Sequence, residues 1–80
     1  MPHNTMQRRL NNVVNAIGTR TWLDTQYQSR DDQGNTVTIA RQILPFKLYK
    51  SREGQLVVDG FDTYRGSVRT FRRDRFKRLA

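Results

Sequence analysis

The chain has 80 residues, 15 of them Lys or Arg against 7 acids, for a formal net charge of +8. A single domain is the natural reading at this length, burying roughly 60–65% of its unfolded surface. The charge favours anionic partners: nucleic acid, a nucleotide or an acidic protein surface. The absence of cysteine excludes disulfide staples and Cys-based metal sites, and no stretch approaches the ~20 apolar residues of a bilayer span.

Residues 1–5 read as a flexible tail, with His3 exposed to solvent and Thr5 placed to cap a helix over 6–17. Met6, Leu10, Val13, Val14 and Ile17 form one stripe at helical spacing, Arg8, Arg9, Asn11, Asn12 and Asn15 take the other faces, and Gly18 stands in the C-terminal capping position. Three Asn and two Val are mediocre helix formers, so this helix depends on docking against the rest of the domain. No charged stretch followed by an apolar run opens the chain. The expectation is a cytoplasmic protein of a bacterial cell or its phage, with no membrane association.

From Trp22 the period changes to two. Leu23, Thr25 and Tyr27 alternate with Asp24, Gln26 and Gln28, the pattern of a half-buried strand. Arg30 to Asn35 is a polar turn with Gly34 available for positive φ. A second strand puts Val37, Ile39, Arg41 and Ile43 on one side, so Arg41 is the odd residue on an apolar face. It either sits at a barrel rim or is held by an acid and faces a pocket.

Pro45 cannot donate to a ladder, so the strand must bend, bulge or meet an edge there before alternation resumes at Phe46 to Tyr49. Lys50 to Gln55 reads as a hairpin loop, and Leu56 to Phe61 as a third strand in which Gly60 marks a bulge or a close backbone approach. After a turn at Asp62 to Gly66, a fourth strand runs from Val68 to Arg72, Arg73-Asp74-Arg75 turns tightly, and Phe76 to Leu79 closes the fold. One helix followed by about five short strands over 22–79 argues for a mainly β domain built as a small barrel.

The last dozen residues carry the charge. Arg69, Arg72, Arg73, Arg75, Lys77 and Arg78 are interrupted by the single acid Asp74, and Phe71, Phe76 and Leu79 anchor the segment. A bare run of like charge would stay disordered, whereas interleaved apolar anchors fix the guanidinium groups on a surface suited to forked recognition of phosphate or carboxylate. The plain alternative is a solvated basic face, with Asp74 tying down Arg72 or Arg75. Enzyme chemistry finds little support: there is one His, in the tail, no Cys and no close carboxylate pair, and Asp31-Asp32 lies in a turn. No glycine-rich phosphate loop and no metal-ligand spacing occur, so neither cofactor nor metal is expected.

Four segments resemble a WYL domain, the Sm-like or SH3-like barrel common in bacterial transcriptional regulators. Tyr27-Gln28-Ser29 is similar to that family's Y-x-S, and Arg41 to Pro45 to its R-x-(hydrophobic)-x-P. Arg69 to Phe76 resembles its R-x-F-R-x-D-R-(hydrophobic). Leu56 to Asp62 occupies the place of the naming segment, with Leu56-Val57-Val58 where the Trp-Tyr-Leu would stand. The resemblance runs from about Leu10 to Leu79 and implies a small five-stranded barrel behind an N-terminal helix. It implies a non-enzymatic regulatory module for nucleic acid or a nucleotide-like ligand, with Tyr27, Arg41, Arg69, Arg72 and Arg75 as ligand residues. Arg73, Lys77 and Arg78 form a secondary basic face. No helix-turn-helix fits before Trp22, so a stand-alone form is expected. The expected partner is single-stranded nucleic acid or a nucleotide. The alternative is a protein-interaction module, such as a phage factor on a host protein, acting through a strand edge or the basic face and open to homo-oligomer formation.

Overall fold

The structure is a computed structural model that describes residues 5–79, with side chains from residue 7 onward. The expectations for the tail and His3, for the Thr5 cap and for the Met6 side chain fall outside what is described. Helix α1 (Thr5–Thr19) is followed by β1 (Leu23–Arg30), β2 (Thr36–Lys50), β3 (Leu56–Asp62) and β4 (Ser67–Arg72), then a 3-10 turn at Arg73–Arg75 and β5 (Phe76–Leu79). The five strands form one antiparallel sheet in the order β4-β3-β2-β1-β5, the helix-plus-small-barrel arrangement expected from the alternation.

The long strand β2 organises the barrel. Residues 36–43 pair with β1 and residues 43–50 with β3, so Ile43 alone belongs to both ladders. Fully extended, a strand of 15 residues would reach roughly 50 Å. The molecule's longest extent is 39 Å, so β2 must bend. It bends where Pro45 stands: Pro45 pairs with Gly60 and Lys47 with Asp59, leaving Phe46 as the extra residue of a bulge. Gly60 permits this close approach, because a Cβ there would lie 2.7 Å from Ile43 Cγ2 and 2.9 Å from the Leu44 carbonyl oxygen.

Two hairpins share one turn design. Asp31 Oδ1 accepts from the backbone N–H groups of Gln33 and Asn35, and Ser51 Oγ accepts from that of Gln55. Each loop closes through a glycine at φ +82, Gly34 and Gly54, a conformation that side chains strain. The core beneath gathers Leu23, Tyr27, Ile43, Val58, Phe71, Phe76 and Leu79 with Val13 and Ala16 of α1.

The helix is rotated relative to the face read from sequence. Val13 and Ala16 are buried, whereas Val14, expected on the stripe, is 55% exposed. The reason lies in two polar residues assigned to the outer faces. Arg9 donates through Nη1 and Nη2 to the carbonyls of Phe76 and Lys77, and Asn12 Nδ2 donates to that of Leu79. These bonds satisfy carbonyls of the edge strand β5 that would otherwise face water, and they turn α1 toward β5.

The helix end also differs. Gly18 lies inside α1, and Arg20 takes the left-handed position at φ 56. The Thr21 N–H reaches back to the Ala16 carbonyl at 3.0 Å, the closing bond of a Schellman cap. A non-glycine residue there costs roughly 1–2 kcal/mol, and glycine loses part of that advantage to its freer unfolded chain. Arg20→Gly is therefore expected to raise stability by about 0.5–1 kcal/mol, read as a higher urea midpoint.

Candidate anion-binding site

Arg41 is held by an acid. It projects from the inward side of β2, and its Nη1 lies 2.9 Å from Asp62 Oδ2, with the two side chains 3% and 0% exposed. Asp62 ends β3, 21 positions further along the chain, and its other oxygen, Oδ1, accepts the Tyr64 N–H at 3.0 Å. Three rings surround the guanidinium, with its central carbon 5.5 Å from the Tyr27 centroid, 5.0 Å from Tyr64 and 5.8 Å from Phe71. Arg41 Nε and Nη2 have no hydrogen-bond partner. Ring faces compensate part of that loss through cation–π attraction.

Tyr27 is a core residue. Its ring stacks edge-on against Phe71 and Phe76 at 5.1 and 4.8 Å, and its hydroxyl accepts the Arg72 N–H at 2.9 Å. A buried ring has no free face for a base, so stacking on Tyr27 is closed in this arrangement. The hydroxyl instead ties β1 to the corner where β4 enters the 3-10 turn. Tyr27→Phe removes the acceptor and leaves a backbone donor unsatisfied, a loss of about 1 kcal/mol expected in urea denaturation, with faster exchange of the Arg72 amide.

The remaining basic residues divide between surfaces. Because β1 alternates, Gln26 and Gln28 point outward, and Gln26 pairs with Arg78 of β5. Arg78, Gln26, Ala40, Gln42, Asp24 and Thr63 line an open depression of about 480 Å³, whose lining includes Arg41. Beside it, Arg75, Arg30, Ser29, Gln28 and Thr36 line a second depression of about 130 Å³. Three exposed arginines thus line the depressions along β1, Arg30 of β1 itself, Arg75 of the 3-10 turn and Arg78 of β5, none with an acidic partner among the described residues.

Arg72 does not join them. It lines a separate depression with Ser51, Glu53, Gln55 and Val57, and its Nη2 pairs with Asp74 Oδ2 at 2.8 Å, both side chains 43% exposed. An exposed pair of this kind contributes only ~0–1 kcal/mol. Arg69 is exposed on β4 and bonds Ser67 Oγ. Arg73 is half-buried in the 3-10 turn, and Lys77 is exposed on β5. The contiguous run of arginines is thus spread around a corner, since a strand, a helical turn and a second strand follow one another within it.

Arg30 was missed in the sequence because turn chemistry absorbed it. Its even position, continuing Gln26 and Gln28, places it on the outward row of β1. Among the described residues no group of three His, Cys, Asp or Glu could hold a metal, and no helix is long and apolar enough to cross a membrane.

Comparison with known proteins agrees with the fold. The family model described as WYL domain matches residues 8–80. A solved structure, proteasome accessory factor B/C (PafBC) of Arthrobacter aurescens, matches the whole chain with a TM-score of 0.78 at 21% sequence identity. The match spans 12% of that protein's own chain, and at this identity it shows the fold alone. No curated protein matches.

Proposed function

The chain belongs to the WYL-domain family, and from that premise we propose that it is a non-enzymatic regulatory module. It binds single-stranded nucleic acid or a nucleotide-like anion along the outer face of β1. The observation that carries this reading is that Arg30 and Arg75 line one depression and Arg78 the other, none of the three paired with an acid among the described residues. The one carboxylate in the lining, Asp24, is engaged by the Gln42 amide. Guanidinium groups fork onto phosphate, and the net charge of +8 draws an anion in from a distance. Arg41 contributes from below: it lines the larger depression and keeps two donors unpartnered. Gln26 and Gln28 offer amides to base edges, which gives limited sequence reading beside a dominant electrostatic term. Arg69, Arg72 and Arg73 add to the field from neighbouring surfaces.

The competing reading through a strand edge loses one of its two edges, since Arg9 and Asn12 occupy carbonyls of β5. Fluorescence anisotropy with short DNA and RNA oligomers tests the proposal. Saturable binding that weakens with salt supports it, and no binding at low salt refutes it. A high 260/280 ratio of the purified protein would point the same way.

A further inference from the structure

A second surface, which shares no lining residue with the depressions of Arg30, Arg75 and Arg78, has features that the proposed activity does not use. Between the end of α1 and the bend of β2 lies a cleft of about 460 Å³ lined by Ile17, Arg20, Leu44, Pro45, Phe46 and Phe61. Phe46 is 54% exposed, and Trp22, 47% exposed, packs edge-on against Phe61 at 6.3 Å. Large apolar rings left in water together mark contact surfaces more often than chance.

Two backbone features build this cleft. The first is the bulge that leaves Phe46 unpaired on the strand, made possible by the missing Cβ of Gly60. Bulges re-aim a side chain, and this one puts a phenylalanine into solvent where regular alternation resumed only at Lys47. The second is Arg20. It holds the left-handed helix-ending position that glycine fills at least cost, and it brings an exposed cation to an otherwise apolar cleft. No acid among the described residues pairs with it.

We infer that this cleft docks a segment of a partner protein that presents a bulky apolar side chain next to a carboxylate. The apolar side chain fills the space between Ile17, Leu44 and the rings of Phe46 and Phe61, and the carboxylate pairs with the Arg20 guanidinium. Charge selects the partner: a neutral segment gains nothing from Arg20, and a basic one is repelled by the field of a +8 chain. A regulator then has two surfaces, one for an anion and one for the protein it acts on.

Trp22, the sole tryptophan, is a native reporter beside the cleft. The probe is the peptide acetyl-Glu-Glu-Leu-Leu-Glu-Glu-amide, titrated at physiological salt against analogues with serine for leucine or lysine for glutamate. The expected result is a saturable change in Trp22 emission with the acidic leucine peptide and none with either analogue. Arg20→Gly and Phe46→Ala each weaken it by about tenfold, while Arg75→Glu with Arg78→Glu acts only through the long-range field and weakens it by about threefold or less. A thermal melt confirms that each variant is folded, and Phe46→Ser serves as the second variant at the apolar position. Equal responses to all three peptides, or an affinity untouched by Arg20→Gly, would overturn the inference. So would concentration-dependent self-association abolished by Phe46→Ala, because the occupant would then be a second copy. The arginine strip is read by its own ligand and variants, so either surface can fail without the other.

Discussion

Asp62→Ala is expected to lower stability by about 3–5 kcal/mol and to leave the domain largely unfolded near body temperature. The carboxylate is fully buried and is the acid facing a guanidinium that is itself 3% exposed. Its removal strands a buried cation whose Nε and Nη2 already lack partners, and it also frees the Tyr64 N–H. A domain of this size has a total stability of roughly 4–12 kcal/mol, so one such loss approaches the whole. Arg41→Met should cost a similar amount, since the carboxylate is then left with one backbone donor. The double variant Arg41→Met with Asp62→Leu should recover most of the loss, because apolar residues of similar volume replace a buried pair at little net cost. Urea denaturation of the two single variants and the double gives the coupling energy directly. A loss below about 1 kcal/mol for Asp62→Ala would mean that water reaches the pair.

The second large effect concerns binding. Arg75→Glu with Arg78→Glu should weaken association with a single-stranded oligomer by about a hundredfold or more, since two phosphate contacts become repulsions. Arg69→Glu with Arg72→Glu changes the net charge by the same amount but lies on other surfaces. It should cost about tenfold or less, through the long-range field alone. Comparing two double reversals of equal charge separates position from total charge. A single reversal could not do that. Arg30→Glu, on the same outward row of β1, removes one contact of the same kind and should weaken binding by about tenfold.

Why the sequence suggested a different set of contacts follows from how strands use linear order. Alternation placed Leu23, Thr25 and Tyr27 inside and showed Arg41 as an anomaly on an apolar side, and each of these is buried. The partner of Arg41 was not legible, because Asp62 is 21 positions away and reaches it only once β2 and β3 pair at Ile43 and Asp62. The run from Arg69 to Arg78 looked like one patch because its members are neighbours in sequence. In the fold that run crosses β4, a 3-10 turn and β5, and its arginines face different depressions.

The helix shows the same limit. Apolar spacing pointed to Val14, but carbonyls of β5 needed donors, and Arg9 with Asn12 supplied them by turning α1 around its axis. Gly18 looked like the helix end by residue type, yet the closing bond from Thr21 to Ala16 puts Arg20 in the left-handed position. The rotation of the helix reflects tertiary hydrogen bonds that outweigh a local preference of about 1 kcal/mol, whereas its end is set by a local backbone bond that closes beyond Gly18.

The measurement that bears most directly on the arginine strip is the salt dependence of oligomer binding by anisotropy, for the native chain and for Arg75→Glu with Arg78→Glu. With three to four phosphates held by Arg30, Arg75, Arg78 and a neighbouring cation, log K should fall against log salt with a slope of about −2 to −3 for a single strand. The double reversal should flatten that slope by at least about one. A slope that is steep but identical in both proteins would place the anion elsewhere on the surface and contradict the assignment.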